Sequence, residues 1–378
     1  MNLLNLQSMY KVVEVQSKAD LAKFIKFPDE LYKRCPQYVP ALHNEQRKAL
    51  TKSASLKYCK RRMWMVMDGK KVLGRICAII NPRYNDLYKV CRVRFGWFDT
   101  INDPAVAKLL VSTAEKWARS EGMTEIHGPL YYNTMGKQGM LVEGFENIPP
   151  FNCLYNYPYY NDLLEGLGFE KECDWLQYKM VANHGVPDKT RRVASIVTEK
   201  YKLHIGSIEE LKRDPSRVRH FFDVYNRSLA SVYNFIPLTD EEIEEESSSV
   251  MRYLTDKTSC VVLDEKENLV AFGIAFPSIS KALQKCRGHV FPFGWIHLLR
   301  AAHDFEYTDL MINGAVSEWQ NTGVSALYYR ELADRAIKIG NRFAVSNPQI
   351  EADVAVNIWN NYEHEPYMRR RCYIKKIK

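Results

Sequence analysis

A chain of 378 residues exceeds the usual span of one domain, and with 46% hydrophobic residues it can build two full cores. No apolar run approaches the roughly 20 residues that cross a bilayer, and residues 1–10 lack the charged start and apolar block of a secretion signal. Nine cysteines without a Cys-x-x-Cys and nine histidines without metal spacing point to reduced thiols, a cytoplasmic protein and no bound metal. The formal charge of +8 gathers in residues 57–62, in Lys70 and Lys71, and in residues 369–378. Such runs are commonly solvated faces, and otherwise attract a polyanion.

In chain order, the first half reads as a strand at 11–15, a helix at 18–34, and a hairpin of strands 63–67 and 72–80 turning at Asp68 and Gly69. A strand at 90–98, a helix at 104–120 stopped by Gly122, a helix at 159–166 and a strand at 169–180 follow. Between Gly122 and Tyr159 lies an insertion rich in Gly, Pro, Asn and Tyr, which carries Tyr131, Tyr132, Asn133, Tyr155 and Tyr157. Long loops of this composition serve binding, and tyrosine offers an apolar face with a polar tip, so these five residues are candidate substrate-binding groups. Aromatic packing at the join of the two halves is the competing reading, and a pocket there would satisfy both. Residues 181–192 read as a linker.

The second half runs through the same elements in the same order. They are a strand at 204–208, helices at 215–229 and 240–254, hairpin strands 259–263 and 269–276, a strand at 307–316, and a helix at 325–339 stopped by Gly340. A strand at 342–346, a helix at 353–362 and a strand at 370–376 complete it. The hairpins match down to Gly74 and Gly273. The acidic run 239–246 has capping-box spacing between Thr239 and Glu242, so it starts a helix and does not gather a metal.

The most telling stretch joins the strand at 307–316 to its helix through Gln320, Asn321, Thr322, Gly323, Val324 and Ser325. A glycine turn from strand into helix leaves backbone N–H groups pointing outward at the positive end of the helix dipole, where a phosphate can sit. Gly323 tolerates φ > 0, and Ser325 and Ala326 keep the helix start unobstructed. The pattern Gln-x-x-Gly-x-Ser resembles the pyrophosphate loop of the GCN5-related N-acetyltransferase (GNAT) superfamily. The resemblance implies an α/β fold of the α+β kind, with two tandem GNAT-like domains at 1–182 and 193–378. Each would be a mixed, mostly antiparallel sheet flanked by helices. It further implies acetyl-CoA or another acyl-CoA as co-substrate, held by Ala315, Val316, Gln320, Asn321, Thr322, Gly323, Val324, Ser325 and Ala326. Basic clusters could then attract the 3′-phosphate of coenzyme A, or RNA.

The halves differ at this turn. The first half has Asn102, Asp103 and Pro104 where the loop would be, so a capping side chain and a proline occupy the helix start and an acidic group replaces the anion. Coenzyme A binding is therefore expected in the second half alone. Acyl transfer needs a polarised carbonyl, a neutral amine and a proton for the departing thiolate. Glu306, Tyr307 and Asp309 begin the loop-bearing strand and are the base candidates. Set against the family's Asn-x-x-Ala-x-x-Leu-Tyr helix, Asn360 falls at the acid position, with Tyr362 two residues on. The expected activity is N-acylation of a small-molecule or peptide amine. The alternatives are an aminoacyl-tRNA-dependent peptidyl transferase of the Fem type, against which stands the lack of a paired heptad arm, and a non-catalytic acyl-CoA binder.

Overall fold

The structure, a computed structural model, describes residues 10–352, 359 and 362–377. The chain divides into two compact units, neither of them uninterrupted. The first comprises Met1–Trp175, Ser280–His297 and Met368–Lys378, and the second Leu176–Ile279 and Leu298–Tyr367. The spans 1–182 and 193–378 read from the sequence differ from these units at the final strand of each half and at Ser280–His297, which groups with the first unit. Strand Glu170–Val181 runs on into the second unit, where Val181 pairs with Phe343. Strand His364–Lys376 lies from Met368 onward in the first unit, where Tyr373 pairs with Gly128. Strand patterning says which face is buried but leaves the neighbouring strand undetermined.

In the first unit, Lys11–Glu14, Lys60–Asp68, Lys71–Ile80, Arg92–Thr100 and Glu125–Gly128 follow one another across the sheet, then the chain's last strand. All pair antiparallel except Arg92–Thr100 with Glu125–Gly128, which run parallel from Arg92↔Glu125 to Arg94↔His127. The crossover between those two is helix Pro104–Ser120, which buries Val106, Leu110 and Ala114. It lies so close to the hairpin that a Cβ on Gly74 would sit 2.8 Å from Leu110 Cδ1. The core containing Met63, Met65, Cys77, Ile79 and Trp97 is covered by Leu21, Phe24 and Ile25 of helix Lys18–Leu31.

In the second unit the order is the Leu176–Val181 end of its shared strand, Phe343–Val345, Tyr307–Ala315, Leu269–Pro277, Cys260–Leu263 and His204–Gly206. Again one pair is parallel: Tyr307, Thr308 and Asp309 lie against Phe343, Ala344 and Val345. Helix Val324–Lys338 packs Val324, Leu327 and Tyr328 onto Val262, Val270 and Ala315. Helix Pro215–Ser228 brings Phe221 to 5.1 Å from Phe272. The acidic segment starts helix Asp240–Ser249 with the capping box read from its spacing, Thr239 and Glu242 each bonding the other's backbone. The helix at 353–362 falls almost wholly outside the described residues. Helices His43–Lys52, Pro82–Tyr88, Ser280–Cys286 and Gly294–Ala301 were not anticipated, and Asp188–Tyr201 begins inside the stretch read as a linker.

Both sheets carry a β-bulge at the same place in the repeat. In the first unit Arg75 faces Asp99 and Cys77 faces Gly96, leaving one extra residue on strand Arg92–Thr100, where Trp97 takes φ 45°. In the second, Ile274 faces Ile312 and Ala275 faces Leu310, so Met311 is the extra residue. Beside its bulge the first unit buries an ion pair: Arg75 Nε lies 2.7 Å from Asp99 Oδ2, and Arg75 also donates to the Phe24 carbonyl at 2.7 Å. Asp99 accepts a further hydrogen bond from Tyr32 at 3.2 Å. Removing one partner strands the other charge in a low-dielectric interior. Arg75→Met should therefore cost about 3–5 kcal/mol in chemical denaturation, and Arg75→Met with Asp99→Leu should recover much of it. An unchanged midpoint for Arg75→Met would mean that Asp99 is solvated after all.

Candidate active site

The loop after strand Tyr307–Ala315 is built around left-handed backbone. Asn321 has φ 62° and Gly323 φ 90°, and helix Val324–Lys338 begins directly after with no side chain capping it. Ala326 N–H bonds the Gly323 carbonyl at 3.0 Å, and the Val324 and Ser325 N–H groups form the positive end of the dipole without a side-chain partner among the described residues. Gly323 is needed for packing as well as for φ: a Cβ there would meet Val193 Cγ1 at 3.0 Å and Val197 Cγ2 at 3.1 Å. Gln320 turns inward, donating from Nε2 to the Ala315 carbonyl at 3.0 Å and the Ser228 carbonyl at 3.3 Å. Thr322 Oγ1 donates to the Trp319 carbonyl at 2.6 Å. Ala315, Val316, Val324 and Ala326 are buried, so only their backbones could meet a ligand, whereas Asn321 is exposed and Ser325 half-buried.

The strand that delivers this loop parts from its neighbour. Parallel pairing with Phe343–Val345 stops at Asp309, the bulge at Met311 follows, and beyond it the strand edge has no partner on that side among the described residues. Asp309 therefore stands where the sheet opens. It is 3% exposed, and its Oδ2 accepts no hydrogen bond from the described residues. Burial pushes its carboxyl up to about 7, opposed by the Ser278 hydroxyl. A carboxylate poised near neutrality is suited to accept a proton from an amine.

The other base candidates are placed differently. Glu306 is exposed and lies 3.3 Å from Arg342, and Tyr307 stacks on Phe343 at 5.1 Å. Asn360 lies outside the described residues. Tyr362 is half-buried, with its phenol raised by burial and its ring 5.8 Å from Trp359. It borders an apolar cavity of about 80 Å³ with Leu310, Tyr329, Leu332, Ala336 and Trp359. The lining of that cavity on helix Val324–Lys338 runs from Tyr329 to Ala336, roughly 9 to 20 Å from Gly323 at 1.5 Å per residue.

In the first unit the corresponding helix start is closed. Asp103 caps Ala105 N–H at 2.8 Å, Pro104 takes the first turn, and Tyr10 donates to Asp103 at 3.0 Å. A cavity of about 50 Å³ nevertheless opens by the bulge, lined by Arg75, Asp99, Trp97, Tyr131, Lys137 and Tyr155 among others. Tyr131 stacks on Trp97 at 3.6 Å, and the Lys137 ammonium, donating to the Cys153 carbonyl at 3.0 Å, is pushed down to about 8 by burial. Tyr132 is buried in the core, Asn133 accepts from Met135 N–H at 3.1 Å in a turn, and Tyr157 donates to the Leu31 carbonyl at 3.4 Å. Of the five insertion residues, the structure thus brings Tyr131 and Tyr155 to one cavity.

Three residues with no common spacing in the sequence do meet: His127, Glu172 and Cys372 hold candidate ligand atoms within 4.8 Å of one another. Arg92 lies 2.7 Å from the same Glu172 carboxylate, and burial holds His127 down at about 4. The guanidinium already supplies the positive charge a metal ion would bring, so the cluster is an ion-pair network.

No family model matches the chain. It is 26% identical over 300 residues to Protein YghO of Escherichia coli, covering 79% of this chain and 75% of that one. It is 27% identical over 302 residues to a Caulobacter vibrioides protein named bacterial ceramide synthase, covering 76% and 75%. Among solved structures, a tandem GNAT protein from the clavulanic acid biosynthesis pathway aligns with a TM-score of 0.57 at 10% identity, over 98% of this chain and 99% of that one. A GCN5-related N-acetyltransferase from Sphaerobacter thermophilus aligns with a TM-score of 0.53 at 10% identity, over 98% and 96%. At such identities the likeness is one of fold, and the opened parallel pair, the bulge and the glycine-led helix accord with it: the chain has a tandem GNAT-like fold.

Proposed function

We propose that the protein is an acyl-CoA-dependent N-acyltransferase whose chemistry resides in the second unit. The observation that carries this reading is the buried Asp309 carboxyl at the point where the parallel pair opens, on the strand that leads into an uncapped helix start. Bound acyl-CoA would supply an activated thioester carbonyl. The first-turn N–H groups from Val324 would hold its pyrophosphate, with Gly323 and Asn321 shaping the turn. Unpaired N–H groups of the strand beyond Asp309 would donate to the carbonyl oxygen, and Asp309 would take the proton of the attacking amine. Tyr362 or Asn360 is proposed to serve the departing thiolate. Ceramide is the amide of a fatty acid with a long-chain amino alcohol. The name of the Caulobacter relative therefore supports a fatty acyl donor and a long-chain amino-alcohol acceptor. The test is thiol release from acyl-CoAs of graded length over a panel of long-chain and short amines, with the amide identified by mass spectrometry. Binding of acyl-CoA with no thiol release on any amine would reduce the protein to a non-catalytic binder.

Ser325→Asp separates helix stability from cofactor binding. A carboxylate in the first turn favours the dipole, so thermal stability should hold or rise, while repulsion of pyrophosphate should weaken coenzyme A in calorimetric titration by about tenfold or more. Unaltered affinity would move the pyrophosphate elsewhere.

Activity should rise with pH through about 7 as Asp309 ionises. Asp309→Asn should lose roughly 10²–10⁴-fold in kcat/KM together with that acid limb. Stability should move the other way. A carboxyl held above its ordinary value contributes stability fully at acidic pH and loses it as pH rises through about 7. Above pH 7, then, Asp309→Asn should melt at or above wild type while being far less active; a variant that is both inactive and unstable would mark Asp309 as structural.

A further inference from the structure

We propose that the segment 280–301 seats the protein on the surface of an anionic lipid bilayer, without crossing it. Residues 278–303 carry Lys281, Lys285, Arg287 and Arg300 with three histidines and no Asp or Glu. Within this cationic stretch, Phe291 is 78% exposed, Phe293 69%, Trp295 46% and Leu299 55%. Of the ten large apolar side chains exposed among the described residues, these four fall within nine positions. Scattered apolar exposure is ordinary, but concentration of aromatic rings on one tip marks a contact surface.

The rings are held outward by ordered backbone. Trp295 N–H donates to the Val290 carbonyl at 2.8 Å, its indole Nε1 to the Pro292 carbonyl at 3.0 Å, and Ile296 N–H to the Phe293 carbonyl at 3.1 Å. The base of the tip is tied into the first unit. Gln284 Nε2 donates to the carbonyls of Pro36 at 2.7 Å and Tyr38 at 3.1 Å, Ser280 Oγ to Pro149 at 2.8 Å, and His43 N–H to the Gly288 carbonyl at 2.9 Å. Ala282, Leu283 and Cys286 fill its inner side. With its anchoring residues buried, the segment presents the rings and the charges to solvent.

The charges choose the partner. Next to the tip, Lys281, Lys285 and Arg287 line an open groove with Gln284 and Ile148, and among the described residues no acidic side chain borders it. Cations around exposed Phe and Trp match a bilayer surface, where rings settle at the headgroup boundary and basic groups meet anionic lipid. No described helix is long and apolar enough to span a membrane, so the contact is peripheral. The inference stands on exposure and charge, independently of acyl transfer.

The experiment is co-sedimentation of the full chain with vesicles of phosphatidylcholine alone and of phosphatidylcholine with phosphatidylglycerol. Wild type should bind the anionic vesicles, and more weakly as salt rises. Phe291→Ser with Phe293→Ser, which alters exposed rings only, should lower binding by about tenfold or more, and Lys285→Glu with Arg287→Glu should do likewise. Circular dichroism and melting establish that both variants fold. Failure of wild type to bind anionic vesicles overturns the proposal, as does binding indifferent to the phenylalanine pair. Self-association abolished by that pair, without vesicle binding, would give the face to a second copy instead and equally overturn it.

Discussion

Parallel pairing over three residues, followed at once by a bulge, is the constraint on which the second unit depends. Two parallel strands that remained bonded along their length would close the sheet and leave no free backbone between them. Here Tyr307, Thr308 and Asp309 are bonded to Phe343, Ala344 and Val345, and Met311 then inserts an extra residue that turns the strand away. The strand is thus firmly placed at one end and open at the other. Its buried start holds Asp309, and its far end delivers the glycine turn.

The first unit has the same parallel pair and bulge, but beyond the pairing Leu130 N–H still bonds the Phe95 carbonyl at 2.8 Å. At the cross-strand position next to the bulge, where the second unit has Ile274 and Ile312, it has Arg75 and Asp99. Where the second unit enters its helix through Gly323 with no cap, it enters through Asp103 and Pro104 with one. The two changes act together. A proline and a side-chain cap leave fewer N–H groups at the helix start for an anion, and a buried ion pair beside the bulge fills with polar contacts a place that the second unit fills with aliphatic side chains. One half of the repeated scaffold thus has its helix start capped, with a small cavity lined by Lys137 and Tyr131 among others.

The repeat, both hairpins, the two crossover helices and the glycine turn were legible in the sequence because each rests on local rules: alternation, helical periodicity, caps and glycine stops. What was not legible is long-range. The exchange of the final strands between units depends on which neighbour a strand bonds, and alternation in residues 170–181 is the same whichever it is. The bulges at Trp97 and Met311 leave no mark in composition. Among the base candidates, Glu306, Tyr307 and Asp309 looked alike at the start of one strand, and burial alone distinguishes them: Asp309 is enclosed while Glu306 is exposed and paired with Arg342. Helices Ser280–Cys286 and Gly294–Ala301 were missed because residues 278–303 mix Gly, Pro and aromatic residues without a sustained period, although the lack of acidic groups there was open to be read.

Asp309 also shows why this centre would not arise from packing alone. A carboxyl enclosed with one oxygen unbonded is a poor choice for stability, since an apolar residue of similar size would fill the site without desolvating a charge. The surrounding sheet tolerates it because the strand is pinned on both sides at that residue, by Phe276 and by Val345, so the backbone has little freedom to carry the group out to water. The same pinning fixes the carboxyl relative to the strand edge that opens immediately beyond it. The base role proposed for Asp309 would need such fixed placement, and a destabilising group held at a rigid position is the form that requirement would take.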